Sequence, residues 1–169
     1  MGTTLAVLIA TCAPLVHPTT MRALIAVESA GNPYAVSLNR PTRWTSLGVE
    51  LPRFDPPQSA AQAQGLVATL RAAGFTTSVG LAQINVDNLG TWNLPLQALL
   101  DPCTNLRLAQ QVLLDCQRAF GKGTSGLPAL LSCFNSGNTT TGIANGYVNH
   151  VRWAALRLNS FTSPRSTRP

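Results

Sequence analysis

Four cysteines, Cys12, Cys103, Cys116 and Cys133, constrain the fold of this 169-residue chain more than any other feature. None of their spacings is the short C-x-x-C pattern of metal sites and redox motifs. An even number of cysteines without that pattern favours two disulfides, which form in an oxidising compartment such as a bacterial periplasm. Four buried free thiols are the alternative interpretation.

The pairing of these cysteines follows from the helix that carries two of them. Residues 103–120 have a broad apolar face at helical spacing and end before a glycine. Cys103 and Cys116 would then be about 20 Å apart on one helix, whereas a disulfide tolerates less than about 7 Å between Cα atoms. A second helix over residues 127–134, antiparallel to the first, would place Cys133 opposite Cys116. We therefore expect a Cys116–Cys133 disulfide.

The remaining cysteines, Cys12 and Cys103, pair by elimination. Further apolar stretches at helical spacing lie between proline and glycine residues and predict helices over residues 5–12, 18–30 and 58–73 and one that starts at residue 146. Residues 44–50 favour a small β-hairpin. We expect one mainly helical domain over residues 1–153 and a flexible C-terminal tail over residues 154–169, which is rich in Ser, Thr, Pro and Arg.

The charge balance indicates an anionic partner. Twelve basic residues against six acidic ones give a net charge of +6 and a pI of about 9.9. We expect no nucleic-acid partner, because the chain has no Lys/Arg run and no interleaving of aromatic and basic residues. A cell-envelope polymer that carries carboxylates would satisfy the same charge. The sequence offers no set of metal ligands, and we expect no cofactor.

The apolar start of the chain bears on its export. Residues 5–13 are too short to span a bilayer, and no Lys or Arg precedes them as a signal peptide would require. We therefore expect no membrane span, and we expect that an export signal is missing from this sequence.

Four short motifs carry a resemblance. They are VESAGNPYAV at residues 27–36, GLAQIN at 80–85, CFNSGN at 133–138 and GYVNHV at 146–151. In this order they resemble the soluble lytic transglycosylases of the goose-type lysozyme superfamily, and most of all the specialised enzymes of type IV secretion and conjugation systems. The resemblance covers residues 12–153. It implies a mainly α, α+β lysozyme-like fold, an irregular helical bundle with a small β-hairpin and an active-site cleft, and it implies peptidoglycan as the substrate.

Only one carboxylate lies within these motifs. Glu28 falls in the last turn of an apolar helix, where desolvation and the helix dipole should both raise its pKa, as a general acid at neutral pH requires. A glycosidase ordinarily needs a second carboxylate, and neither Glu50 nor Asp55 is an obvious partner. The resemblance implies a route that needs no partner, because the C6 hydroxyl of N-acetylmuramic acid attacks its own anomeric carbon and leaves a 1,6-anhydro end.

The resemblance also implies a substrate-binding site formed by Ser29, Gln83, Asn85, Phe134, Asn135 and Tyr147. Amide side chains suit N-acetyl groups because they donate and accept hydrogen bonds. Phe134 stands where many relatives have Tyr, so a hydroxyl is missing there. Taken singly, Glu28 would be a solvated helix-end residue and the other motifs would be turns or core anchors; their joint occurrence in order favours the site.

The resemblance implies a peptidoglycan lytic transglycosylase that opens the cell wall locally for a secretion or conjugation apparatus. Its expected location is the periplasm and its expected partners are glycan strands and envelope components of that apparatus. Two alternatives remain at this point. One is a non-catalytic murein-binding scaffold module, which would keep the fold and the charge, and the other is a hydrolytic lysozyme.

Overall fold

Helices form most of the chain in the computed structural model, which describes residues 4–39, 52–120 and 126–160. In chain order the elements are α1 (Leu5–Cys12), α2 (Pro18–Glu28), β1 (Val36–Asn39), α3 (Ala60–Ala72), β2 (Thr76–Val79), β3 (Ile84–Asn85), a 3₁₀ turn (Val86–Asn88), α4 (Leu89–Trp92), α5 (Leu96–Leu99), α6 (Pro102–Phe120), α7 (Gly126–Ser136), α8 (Thr141–Ala144) and α9 (Tyr147–Ser160).

The elements form two compact units. The first contains the described residues up to Val27 and from Arg107 onward, and the second is Glu28–Leu106. In the first unit, α1 begins at the N-cap Thr4, whose side chain accepts a hydrogen bond from the Val7 N–H at 3.4 Å. The largest fully buried apolar side chains of this unit are those of Ile9, Met21, Leu24, Ile25 and Leu131.

The second unit contains a three-stranded antiparallel sheet in the order β1-β2-β3. Val36 pairs with Val79 and Asn39 with Thr76, while Ser78 pairs with Asn85. Helix α3 supplies the buried side chains of Ala63, Val67 and Leu70. Because β2 and β3 are consecutive antiparallel strands, residues 80–83 must form the turn between them.

The helical fold predicted from the sequence is confirmed, and the predicted helices are present with shifts of a few residues at their ends. The small sheet lies at residues 36–39, 76–79 and 84–85, and the hairpin predicted at residues 44–50 lies outside the described residues. Helix α9 continues to Ser160, so the domain boundary predicted at residue 153 falls inside a helix; residues 161–169 also lie outside the described part. None of the described helices has the length and apolarity needed to cross a bilayer.

The predicted Cys116–Cys133 disulfide is confirmed. It joins α6 to α7 with a Cα–Cα distance of 5.9 Å, inside the range that a disulfide tolerates. Cys12 and Cys103 are also disulfide-bonded, and no cysteine of the chain is a free thiol. The alternative of four buried thiols is therefore excluded.

Candidate active site

Helix α2 ends at Glu28, and the chain reverses immediately after it. Glu28 is half-buried. Ala30 and Gly31 both have positive φ, 51° and 85°, and the Asn32 N–H donates to the Ser29 carbonyl at 3.0 Å. A left-handed conformation costs a residue with a Cβ about 1–2 kcal/mol, so Ala30 is strained next to the carboxylate. Such strain persists where surrounding contacts determine the backbone, which often happens at functional sites.

The Ser29 hydroxyl is one of those contacts. It donates a hydrogen bond to the Leu81 carbonyl at 2.8 Å and accepts one from the Gly31 N–H at 3.2 Å. Ser29 therefore ties the end of the Glu28 helix to the 80–83 turn, 52 residues along the chain. The contact of Ser29 with substrate, implied by the resemblance, stays a prediction.

The 80–83 turn is closed by the Gln83 side chain. Gln83 itself has φ of 50°, and its Nε2 donates to the carbonyls of Ala35 at 3.1 Å and Gly80 at 2.9 Å. Two carbonyl acceptors fix the orientation of the amide, because only its nitrogen can donate. Its Oε1 is buried and has no hydrogen-bond partner in the part of the chain that the structure describes. Gln83 thus holds the turn through its nitrogen, and its contact with substrate stays a prediction.

Asn105 supports the same turn from α6 and was not among the predicted site residues. It is fully buried; its Oδ1 accepts from the Ala82 N–H at 2.8 Å, and its Nδ2 donates to the carbonyls of Val79 at 3.0 Å and Leu99 at 2.8 Å. Gly80 makes room for it, because a Cβ there would overlap the Asn105 amide. The sequence indicated a buried amide here, because Asn105 lies four residues before Ala109 on the apolar face of the predicted helix. A buried amide needs hydrogen-bond partners.

Asn85, the last residue of β3, caps the 3₁₀ turn that follows. Its Oδ1 accepts from the Asp87 N–H at 2.9 Å. The side chain is half-buried, and this bond occupies its oxygen. The predicted contact of Asn85 with an N-acetyl group stays a prediction, and the Nδ2 donor is the part of the amide best suited to it.

The third motif lies in the first unit, at the end of α7. Phe134 is half-buried and Asn135 is exposed. Beyond them the chain is held by the fully buried Ser132, whose hydroxyl donates to the Asn138 carbonyl at 2.8 Å and accepts from the Gly142 N–H at 2.9 Å. A Cβ on Gly142 would lie 2.6 Å from the Ser132 Cα. Glycine at this position therefore allows α8 to approach α7 closely.

The fourth motif starts α9 and is joined to the third by a side chain between them. Tyr147 is buried, 8% exposed, and its N–H donates to the Asn145 Oδ1 at 3.0 Å. The Asn145 Nδ2 in turn donates to the Asn135 Oδ1 at 3.0 Å. The structure thus brings the predicted site residues Asn135 and Tyr147 together through Asn145, which was not predicted.

A groove with an apolar floor runs along α2 and α9 in the same unit. It encloses about 680 Å³ and is lined by Ala26, Val27, His150, Trp153, Ala154, Arg157 and Leu158. Trp153 is 61% exposed. None of these residues was predicted to bind substrate, and His150 is exposed.

Comparison with known proteins identifies the family. The transglycosylase SLT domain matches residues 6–155, which is most of the chain. The chain belongs to this family.

Curated relatives are similar over most of the chain. They include type IV secretion system protein virB1 of Brucella suis, 33% identical over 94% of this chain, and the protein of the same name of Brucella abortus, 36% identical over 90%. Protein virB1 of Agrobacterium fabrum is 34% identical over 94%. The chain spans 65%, 63% and 60% of the length of these three relatives. No solved structure matches.

Within this SLT domain, the predicted site residues fall into two clusters, each described within its own unit. The first consists of Glu28, Ser29, Gln83 and Asn85, and the second of Phe134, Asn135 and Tyr147. In both, sequence reasoning found residues of the motifs and missed an amide that hydrogen-bonds to them, Asn105 in the first and Asn145 in the second.

Proposed function

We propose that this SLT domain is a peptidoglycan lytic transglycosylase that cleaves the β-1,4 bond between N-acetylmuramic acid and N-acetylglucosamine and leaves a 1,6-anhydro end. Membership of the family supports the general activity. The observation that carries the assignment to this chain is the place of Glu28, the one carboxylate within the four motifs, half-buried at the end of α2 and followed by a backbone that Ser29 ties to the 80–83 turn.

In this mechanism Glu28 acts twice. As an acid it donates its proton to the glycosidic oxygen, so the bond from C1 to that oxygen breaks and the leaving sugar keeps a hydroxyl. As a base it then takes the proton of the C6 hydroxyl while that oxygen bonds to C1. The proton is returned, no water is consumed, and a second carboxylate is not needed, which fits a chain with six acidic residues in all.

The remaining predicted residues bind and position the sugars in this proposal. Ser29 holds the helix end that carries the acid, and Gln83 holds the turn beside it. Asn85 and Asn135 present amides to N-acetyl groups, Tyr147 anchors the start of α9, and Phe134 offers the sugar an apolar surface where many relatives have a tyrosine hydroxyl.

The wider context of the proposal comes from charge, disulfides and the relatives. A net charge of +6 suits a polymer whose peptides carry carboxylates, and disulfides suit the periplasm. The virB1 relatives are named as type IV secretion proteins, which supports local opening of the wall for such an apparatus, with its envelope components as partners. We assign the catalytic domain to residues 1–153 together with the rest of α9 to Ser160.

Digestion of purified peptidoglycan by the purified chain, analysed by mass spectrometry, tests this proposal. We expect fragments with 1,6-anhydro ends, lighter by one water than reducing ends. Glu28→Gln should slow their release by about 10²–10⁴-fold, the usual contribution of a general acid. Glu50→Gln makes the same chemical change at the other glutamate of the chain and should leave the rate unchanged.

The outcomes separate the alternatives. Reducing ends would show that water attacks and that the enzyme is a hydrolytic lysozyme. Equal release by Glu28→Gln and the unaltered chain would remove Glu28 from the mechanism. No release, combined with binding of the chain to peptidoglycan, would favour the non-catalytic scaffold.

A further inference from the structure

The orientation of the Asn135 amide is determined by a chain of two hydrogen bonds. The Tyr147 N–H is a backbone group and can only donate, so the Asn145 atom that faces it at 3.0 Å must be Oδ1. The Asn145 atom that faces Asn135 is then Nδ2, which only donates, and the Asn135 atom 3.0 Å away must be Oδ1. The Asn135 Nδ2 is the end of the amide that remains for a ligand.

Asn145 can impose this orientation because the backbone holds it independently of Asn135. It ends α8, where its N–H donates to the Thr141 carbonyl at 2.9 Å. The next residue, Gly146, has φ of 85° and donates to the Ile143 carbonyl at 3.2 Å. Asn145 and Asn135 are both exposed, but the Asn145 amide has a second partner in the Tyr147 N–H, whereas the bond from Asn145 is the only hydrogen bond of the Asn135 side chain within the described residues. The direction of control therefore runs from Asn145 to Asn135.

We infer that Asn145 is a positioning residue, which turns the Asn135 amide so that it offers N–H donors, and that Asn135 recognises an acceptor on the glycan, the carbonyl oxygen of an N-acetyl group. This inference rests on the proposed function, because it takes Asn135 to be part of the glycan site. It specifies the polarity of the contact, which a side chain with both a donor and an acceptor leaves open.

Asn145→Asp tests whether Asn135 offers donors to the ligand, and it keeps the acceptor for the Tyr147 N–H at the start of α9. One carboxylate oxygen still accepts from the Tyr147 N–H, but the atom facing Asn135 becomes an acceptor. Asn135 must then turn its Nδ2 toward residue 145 and its Oδ1 toward the ligand. Asn145→Ser is milder, since its hydroxyl can still accept from the Tyr147 N–H while the Nδ2 donor to Asn135 is removed. Asn149→Asp, at an exposed position in α9, is the matched control for charge.

We expect Asn145→Asp to raise the Kd for a soluble β-1,4-linked N-acetylglucosamine trimer, and KM for soluble glycan strands, by roughly threefold to tenfold. The value of kcat should change little, because the contact forms in the ground state as well as in the transition state. Asn149→Asp should bind as the unaltered chain does. In an Asn135→Ala background, Asn145→Asp should have no further effect on Kd, because a positioning residue acts only through the residue it positions.

Side-chain amide signals in NMR spectra give a readout that does not depend on activity. The Asn135 NH₂ resonances should move in Asn145→Asp and stay in place in Asn149→Asp. If Asn145→Asp binds the trimer as tightly as the unaltered chain, or weakens binding equally when Asn135 is Ala, the inference is wrong. A chain that binds the trimer with the expected variant pattern but releases no murein fragments would remove the proposed enzymatic function and leave this inference standing.

Discussion

Replacement of Asn105 by Asp exchanges the side-chain NH₂ group for an oxygen and should destabilise the domain in a pH-dependent manner. In the structure the Asn105 Oδ1 accepts from the Ala82 N–H, and Nδ2 donates to the Val79 and Leu99 carbonyls at 3.0 and 2.8 Å. An ionised Asp keeps the first bond, but its second oxygen faces two carbonyl oxygens that lose their donor.

The expected loss is about 4 kcal/mol at pH 7. Asn105 and the three residues it bonds are buried, and each buried carbonyl left without a donor costs about 1–3 kcal/mol. For a chain of this size, 4 kcal/mol lowers the unfolding temperature by roughly 8–16 °C. It is also a large share of a total stability of about 5–15 kcal/mol.

The loss should be smaller at acid pH, about 2 kcal/mol near pH 4, because a protonated carboxyl can donate to one of the two carbonyls. Burial and the facing carbonyl oxygens raise the pKa of this carboxyl in the folded state above its unfolded value of about 3.9. Below that value both states are protonated. As the pH rises, the unfolded state ionises first, so the stability of the variant relative to the unaltered chain falls until the folded pKa is passed.

Urea unfolding followed by circular dichroism at pH 7 and pH 4 measures both effects, with each variant compared with the unaltered chain at the same pH. Asn149→Asp makes the same substitution at an exposed position and should change stability by no more than about 0.5 kcal/mol at either pH. If Asn105→Asp behaved like this control, the three hydrogen bonds would not stabilise the domain and the account of the 80–83 turn would be refuted.

Three other variants test separate parts of the structure. Gly80→Ala should lower the free energy of unfolding, measured by thermal unfolding, by at least about 2 kcal/mol, because the φ of Gly80 is 83° and an added Cβ would overlap buried atoms. Gly65→Ala, at a helical position with open space, should be neutral or stabilising in the same assay. Loss of the Cys116–Cys133 disulfide in the double Ala variant should cost about 3 kcal/mol for a separation of 17 residues, and an unchanged urea midpoint would contradict this. Phe134→Tyr should speed murein cleavage between a few-fold and about a hundredfold by restoring a hydroxyl, and an unchanged rate would show that another group already makes the contact.

The sequence predicts the parts of this fold that depend on local periodicity. Residues 103–120 repeat apolar side chains at helical spacing, and the 20 Å between two cysteines on one helix excludes their pairing, so both α6 and the Cys116–Cys133 disulfide follow. The first strand does not follow in the same way. Residues 36–39 pair with residues 76–79, and nothing local in a four-residue stretch indicates a partner that lies so far along the chain.

The supporting amides are harder to predict than the motifs for a related reason. Gly80 and Gln83 are three residues apart and belong to one motif, but the shape of their turn depends on Asn105, which lies in α6. Asn145 donates a hydrogen bond to Asn135, ten residues away along the chain. In each case the partners of a polar side chain come close to it only in the folded chain. The sequence therefore indicates that the side chain needs partners but does not identify them.

The supports of the first cluster share one chemical property, which is that they are neutral. Ser29, Gln83 and Asn105 fix the 80–83 turn and the end of α2 with hydroxyl and amide groups. An arginine could have made similar hydrogen bonds, and the chain has many, but a cation within about 4–6 Å of a carboxylate lowers its pKa. A general acid must remain protonated near neutral pH. In the proposed function Glu28 is that acid, and these three supports hold the 80–83 turn and the residue after Glu28 without adding a positive charge of their own.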